Sequence, residues 1–285
     1  MIIYFGKIVF FIIFESNELC YFRITKLFSK SFLPVNEIFT FQLTFFEIVL
    51  VVISALLIGM SKTGISGAGM AMIPIMAAIF GGKLSTGIVL PLLSMADIFA
   101  VVYYHRHANW IYILRLIPTT VVGIGIGIYV GDIISDQVFK DIMGVIVICS
   151  VGILIWRDIR KEVRIPAGLA FPLMMGLAGG FTTMVGNAAG AIMALYLLSM
   201  RLPKNEYIGT GAWFFLIINL FKIPFHILIW ETISFKTFSL DILLLPAIAA
   251  GAFLGIYIVK FIPEKAYRIF LLVTTALSAL VLIIK

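Results

Sequence analysis

The chain is short of charge. Asp, Glu, Lys and Arg make up 12% of its 285 residues, about half the share in an ordinary soluble domain. Residues 165–200 contain none of the four, and no histidine either. That scarcity excludes a water-soluble globular protein, and 62% hydrophobic residues with a mean hydropathy of +1.15 point to several membrane spans instead. Cysteine is almost absent. Cys20 and Cys149 lie far apart with no C-x-x-C, which excludes a disulfide framework and a thiolate metal site. Cys149, in an apolar run, reads as a small packing residue. The chain also lacks a Ser/His/Asp set, H-E-x-x-H, a Walker loop and paired aspartates inside an apolar run. Gly64, Gly67 and Gly69 are not a dinucleotide fingerprint, since no strand precedes them. His105 and His107 stand at i and i+2, off a common helical face, and read as interfacial anchors beside Arg106. His226 stands alone. No enzyme, cofactor or metal site is expected.

What is present is apolar and periodic. Ten apolar segments are expected, at roughly 41–61, 67–80, 85–104, 111–131, 139–156, 167–185, 187–200, 206–230, 240–259 and 266–284. Two of them, 67–80 and 187–200, would reach only about 21 Å as helices, short of a hydrocarbon core of about 30 Å. Each is second in a group of five, and the basic stretch Arg157, Arg160, Lys161, Arg164 divides the groups. TGISGAGMAMIPIMAAIFGGKLSTG (63–87) and TMVGNAAGAIMALYLLSMRLPKNEYIGTG (183–211) share an order: glycine-rich turn, short Met-rich helix, polar connection, long span. Residues 41–164 and 165–285 therefore read as an internal duplication. Residues 1–40 read as an extension with an extra apolar stretch, MIIYFGKIVFFIIF, nearer a signal-type core than a span.

The net charge of +7 raises nucleic acid as a partner, but no basic patch interleaves with aromatics, and that partner is rejected. The basic residues fall in short connections instead. With 157–164 in the cytoplasm, that side holds Arg106, Arg157, Arg160, Lys161, Arg164, Arg201, Lys204, Lys260, Lys265 and Arg268. The outer side holds Lys83, Lys140 and Lys236. Ten against three supports this orientation over its inverse. Five segments per group then make the repeats inverted. The fold class expected is an all-α polytopic membrane protein of two inverted five-segment repeats, each with a short helical hairpin, the two meeting near the bilayer midplane.

The hairpin tips, Lys62 to Gly69 and Thr182 to Gly190, are the candidate site. Helix N-termini present N–H groups without intrahelical partners and favour anions. Lys62, Ser66, Gly67 and Gly69 on one tip, and Gly186 and Asn187 on the other, would line such a site. Lys222 lies well inside a long span, where a charge needs a cavity or a partner, and Asn219 is nearly one turn before it. Asp97 occupies the matching span of the first half and reads as an ion-pair or coupling residue. Glycine-mediated close packing and a structural ion pair are the plainer readings of the same residues.

At GISGAGMAMIP, TTMVGNAAGAIMALYLL and RLPKNEYIGTGAWFFLIINLFKIPF, over about 45–285, the chain resembles the sulfite exporter TauE/SafE family. The resemblance implies transport of sulfite, sulfoacetate or other organosulfonates through paired hairpins. The chain departs in carrying Ala191 where a proline often follows the second tip. The function expected is a secondary transporter of small anions working by alternating access in the plasma or inner membrane, with an anion channel or a membrane scaffold as rivals. The partners expected are a small anionic substrate and the lipid bilayer, with a homodimer left open.

Overall fold

A computed structural model describes residues 43–65, 69, 72–159 and 170–261, with the single positions 41 and 263. The 1–40 extension, Ser66 and Gly67 of the first tip, the basic stretch 160–169 and the last apolar segment lie outside the described residues.

The described chain is all-α. In order the helices are α1 (Phe45–Thr63), α2 (Met72–Phe80), α3 (Gly82–Tyr104), α4 (Trp110–Ile133), α5 (Asp136–Ile159), α6 (Ala170–Gly186), α7 (Gly190–Ser199), α8 (Lys204–Leu228) and α9 (Phe235–Phe261), with a 3₁₀ turn at His105–His107. They follow the first nine apolar segments read from the sequence. Five helices, α1, α3, α4, α8 and α9, are long and apolar enough to cross a membrane. The short pair, α2 and α7, has 9 and 10 residues, about 14 and 15 Å of rise.

Local chemistry sets the ends. Thr44 begins α1 with a capping box, accepting from the Glu47 N–H while the Glu47 carboxylate accepts from the Thr44 N–H at 2.8 Å. Gly81 gives α3 no side-chain cap. Asp136, from the start of α5, takes that role: it accepts from the N–H groups of Lys83 (2.8 Å) and Gly82 (3.2 Å) and pairs with Lys140 at 3.1 Å. Partial burial pushes its carboxyl up, but those donors outweigh it and hold Asp136 below the usual carboxylate range. Pro91, Pro118, Pro224 and Pro246 sit inside long helices, where neighbouring helices tolerate them.

α3 is the centre. Its most apolar window is 72% buried, against 28–33% in the other four long helices, whose outward faces carry Phe45, Tyr129, Phe253 and Tyr257 as a lipid-facing surface. α8 packs against α3 in the opposite direction, as the pairs Tyr104–Gly209, Asp97–Asn219 and Gly87–Thr232 show. The other large interfaces are α4 with α6 and α1 with α9. Each joins the first helix of one group to the fourth of the other, and each runs parallel. In both, backbones touch. A Cβ at Gly180 would overlap the Thr120 carbonyl oxygen, and one at Gly251 would overlap that of Leu56. Gly123 and Gly59 approach Leu177 and Ile248 in the same way.

The two interfaces share lettering that the tip comparison did not reach. Pro118, Gly123, Gly127, Ile128 and Tyr129 in α4 recur as Pro246, Gly251, Gly255, Ile256 and Tyr257 in α9, each 128 residues later. The pattern P-x₄-G-x₃-G-I-Y places the close-approach glycines at the same point of each pairing.

Candidate functional site

Between the tips lies a cavity of about 80 Å³, room for on the order of five waters or one small oxyanion. Lys62 and Gly69 line it from the first hairpin, Asn187 and Gly190 from the second, and Tyr207 and Phe215 from α8. Lys62, Gly69 and Asn187 are the sequence-derived residues that the fold brings together there.

Lys62 stands in the last turn of α1. Its side chain is 11% exposed, and its ammonium lies 3.0 Å from Oδ1 of the fully buried Asp97 and 3.9 Å from the centre of the Phe215 ring. Asp97 Oδ2 accepts from the Asn219 amide at 2.7 Å. One carboxylate thus ties the first tip to α3 and α3 to α8.

The second tip is held differently. Asn187 has φ of 53°, a left-handed conformation that asparagine adopts more readily than most residues. The chain turns there after α6, and the Ala188 N–H bonds the Thr182 carbonyl at 3.2 Å. The Asn187 amide donates to the Thr86 carbonyl of α3 at 3.1 Å. Its oxygen accepts from Lys222 at 2.7 Å. Lys222 donates also to the Thr183 carbonyl (2.7 Å) and hydroxyl (3.0 Å). It is fully buried and lies behind the cavity wall, as do Asn219 and Asp97. A cation at the carbonyl end of α6 is favourably placed against the helix dipole. Gly186 is buried beside Met143 at the end of α6 and does not face the cavity.

The two tips attach to α3 at different levels. Thr86 and Asp97 are 11 residues apart, about 16 Å along the helix. Each tip therefore passes the other's level, and the cavity spans the gap between them. At one wall α7 begins at Gly190, where a Cβ would meet nothing within 4 Å among the described residues. The first N–H groups of α7 have no acceptor inside that helix. Cavity and network together set two lysines against one aspartate, with N–H donors at one wall, an arrangement suited to one small anion. Among the described residues, no three His, Cys, Asp or Glu side chains gather as metal ligands would. His226, fully buried, bonds the Thr232 hydroxyl at 2.8 Å away from the cavity, and His105 is exposed.

Sequence reading missed Thr183, Thr86 and Phe215. Thr183 had a signal: it lies 120 residues after Thr63, which also closes a hairpin arm and donates to the Ala252 carbonyl at 2.9 Å. Phe215 had none, since a Trp-Phe-Phe run inside a span reads first as packing.

No curated protein and no solved structure matches the chain. Residues 51–282 match the family model described as Sulfite exporter TauE/SafE, which takes in both hairpins, α3, α8 and the cavity between them, and the chain belongs to that family.

Proposed function

We propose that this protein is a secondary transporter that carries a small sulfur oxyanion or organosulfonate across the plasma or inner membrane by alternating access. The family is one of membrane transporters of the sulfite-exporter type. The observation that carries the finer reading is the cavity itself: Lys62 and the start of α7 face one space from opposite hairpins. An anion there would meet the Lys62 ammonium on one side and, on the other, backbone N–H groups that have no acceptor within α7.

The alternation rests on an inverted duplication. α3 and α8 run antiparallel about the Asp97–Asn219 contact, and α1–α9 and α4–α6 exchange places under that relation. The P-x₄-G-x₃-G-I-Y pattern occurs once in each half. Two equivalent halves related in this way can rock about a central site. Each half holds its own tip: Lys62 to Asp97 in the first, Lys222 to Asn187 in the second.

Flux into proteoliposomes tests the proposal. Labelled sulfite, sulfoacetate, methanesulfonate, sulfate and acetate are compared with imposed pH and sodium gradients. Saturable uptake of a sulfur oxyanion or sulfonate at carrier-like turnover, lost in Lys62→Gln, is the expected result. Flux of channel magnitude would replace the carrier by an anion channel, and no flux of any anion would overturn the proposal.

A further inference from the structure

Lys62 faces two ways. It lines the cavity with its ammonium 3.9 Å from the Phe215 ring, which lines the cavity too, yet its charge is spent on Asp97 at 3.0 Å. An anion that enters the cavity must share that ammonium with a carboxylate that has no access to solvent. Two negative groups would then stand against one cation in a low-dielectric interior, where the repulsion is poorly screened. The charged groups acting on Asp97 are Lys62 from α1 and Lys222 from α8. Lys222 is already engaged by Thr183 and Asn187. Of the other helices packed on α3, α2 and α6 carry no ionisable side chain, α9 carries Lys236, the buried Asp241 and Lys260, and the start of α5 carries Asp136, Lys140 and Asp141.

A second observation concerns Asn219. Its amide nitrogen donates to Asp97 Oδ2, while its own oxygen is buried and accepts from nothing among the described residues. Buried acceptors in membrane interiors are seldom left idle. An amide facing a carboxylate can make only the N–H···O bond. Facing a carboxylic acid it can make two, because the acid O–H donates back to the amide oxygen. The idle Asn219 oxygen is the acceptor that a proton on Asp97 would require.

We propose that an anion entering the cavity takes the Lys62 ammonium away from Asp97, and that the released carboxyl binds one proton, which it donates to the Asn219 oxygen. Anion and proton then bind together at neighbouring positions, and the transporter moves them together. The step balances: one N–H···O contact passes from carboxylate to substrate, one proton from solvent forms the carboxyl O–H and its hydrogen bond to the Asn219 oxygen, and no covalent bond of the protein or the anion is broken. The inference rests on the anion-binding reading of the cavity and adds the coupled ion.

Titration calorimetry of the purified full chain in detergent tests it, with methanesulfonate and sulfate as probes. Neither exchanges a proton near neutral pH, so any proton uptake belongs to the protein. Runs in two buffers of different ionisation heat give the protons taken up per anion. The wild type is expected to take up about one, and its Kd to rise about tenfold per pH unit near neutral pH. Asp97→Asn should bind with no uptake and a pH-independent Kd. Lys62→Gln should bind more weakly and also without uptake. Anion binding to the wild type with no proton uptake overturns this inference alone, and uptake that persists in Asp97→Asn overturns it as well. Binding of no anion overturns the functional reading with it. Should Asp97→Asn fail to fold, the wild-type stoichiometry still decides.

Discussion

Lys222→Met removes the cation that holds the second tip while keeping the length of the side chain. Three hydrogen bonds go, to the Thr183 carbonyl, the Thr183 hydroxyl and the Asn187 amide oxygen. The Thr183 carbonyl keeps the Asn187 N–H at 3.1 Å and the Thr183 hydroxyl can turn toward another partner, so the Asn187 amide oxygen is the acceptor left unsatisfied. At about 1–3 kcal/mol for such a group, the closed tip loses about that much relative to an open one. That raises its open population by on the order of 5- to 150-fold. Global stability should fall by much less, because the substitution also relieves the cost of burying an ammonium. The assay is thiol labelling of Ala188→Cys, beside Asn187, in a chain with Cys20 and Cys149 replaced by serine. These two are the only cysteines present. Lys222→Met should speed the labelling at least about fivefold and lower anion transport by a similar factor, with a melting temperature within a few degrees of the parent. Unchanged labelling together with intact transport would refute the assignment of Lys222 as the anchor of the tip.

Other outcomes follow from the same geometry. Gly180→Val and Gly251→Val should each weaken one interhelical seam by about 1–3 kcal/mol or more, read as a lower melting temperature in detergent, whereas Gly125→Ala, with nothing within 4 Å of its Cβ, should melt like the wild type. Asn187→Ala removes the bond to Thr86 and disfavours the left-handed turn, and should reduce transport while helical circular dichroism is retained. Asp136 has a lowered pKa in the folded chain, so its contribution is present above its ordinary carboxylate value and is lost as pH falls through the lower folded one. Asp136→Asn should therefore melt below the wild type at pH 7, with the gap closing in strong acid. The effect is small, because the carboxylate is half exposed.

The fold was legible where composition and spacing carry physical constraints. Uninterrupted apolar runs give spans, and the positions of Arg106, Lys83 and Lys140 separate the two ends. In the structure Lys83 and Lys140 gather round Asp136 at one end, with Lys83 also 5.5 Å from the Trp230 ring, while Gly209 packs on His107 at the other. The short helices were legible from glycine and proline. The tip depth was not, because it depends on where Lys62 and Asn187 find partners on α3, and those partners lie 35 and 101 residues away. The site was half legible. Lys62, Gly69 and Asn187 reach the cavity as their positions at the tips suggested. Lys222 and Asn219 looked like equal candidates, because an ionisable or amide side chain in a span announces a partner without saying whether that partner is protein or ligand. Here it is protein. Comparing 41–164 with 165–285 along their whole length finds the P-x₄-G-x₃-G-I-Y pattern once in each, with its glycines at the α4–α6 and α1–α9 contacts.

The central claim is that both hairpins face one anion-binding space. Gly190→Cys and Ser61→Cys place a thiol on either side of it, each in the chain lacking Cys20 and Cys149. The measurement is the rate of thiol modification at each position with and without a saturating sulfonate. The account predicts that the sulfonate slows modification at both positions at the same half-saturating concentration. Protection at neither position, in protein that still transports the sulfonate, would contradict it.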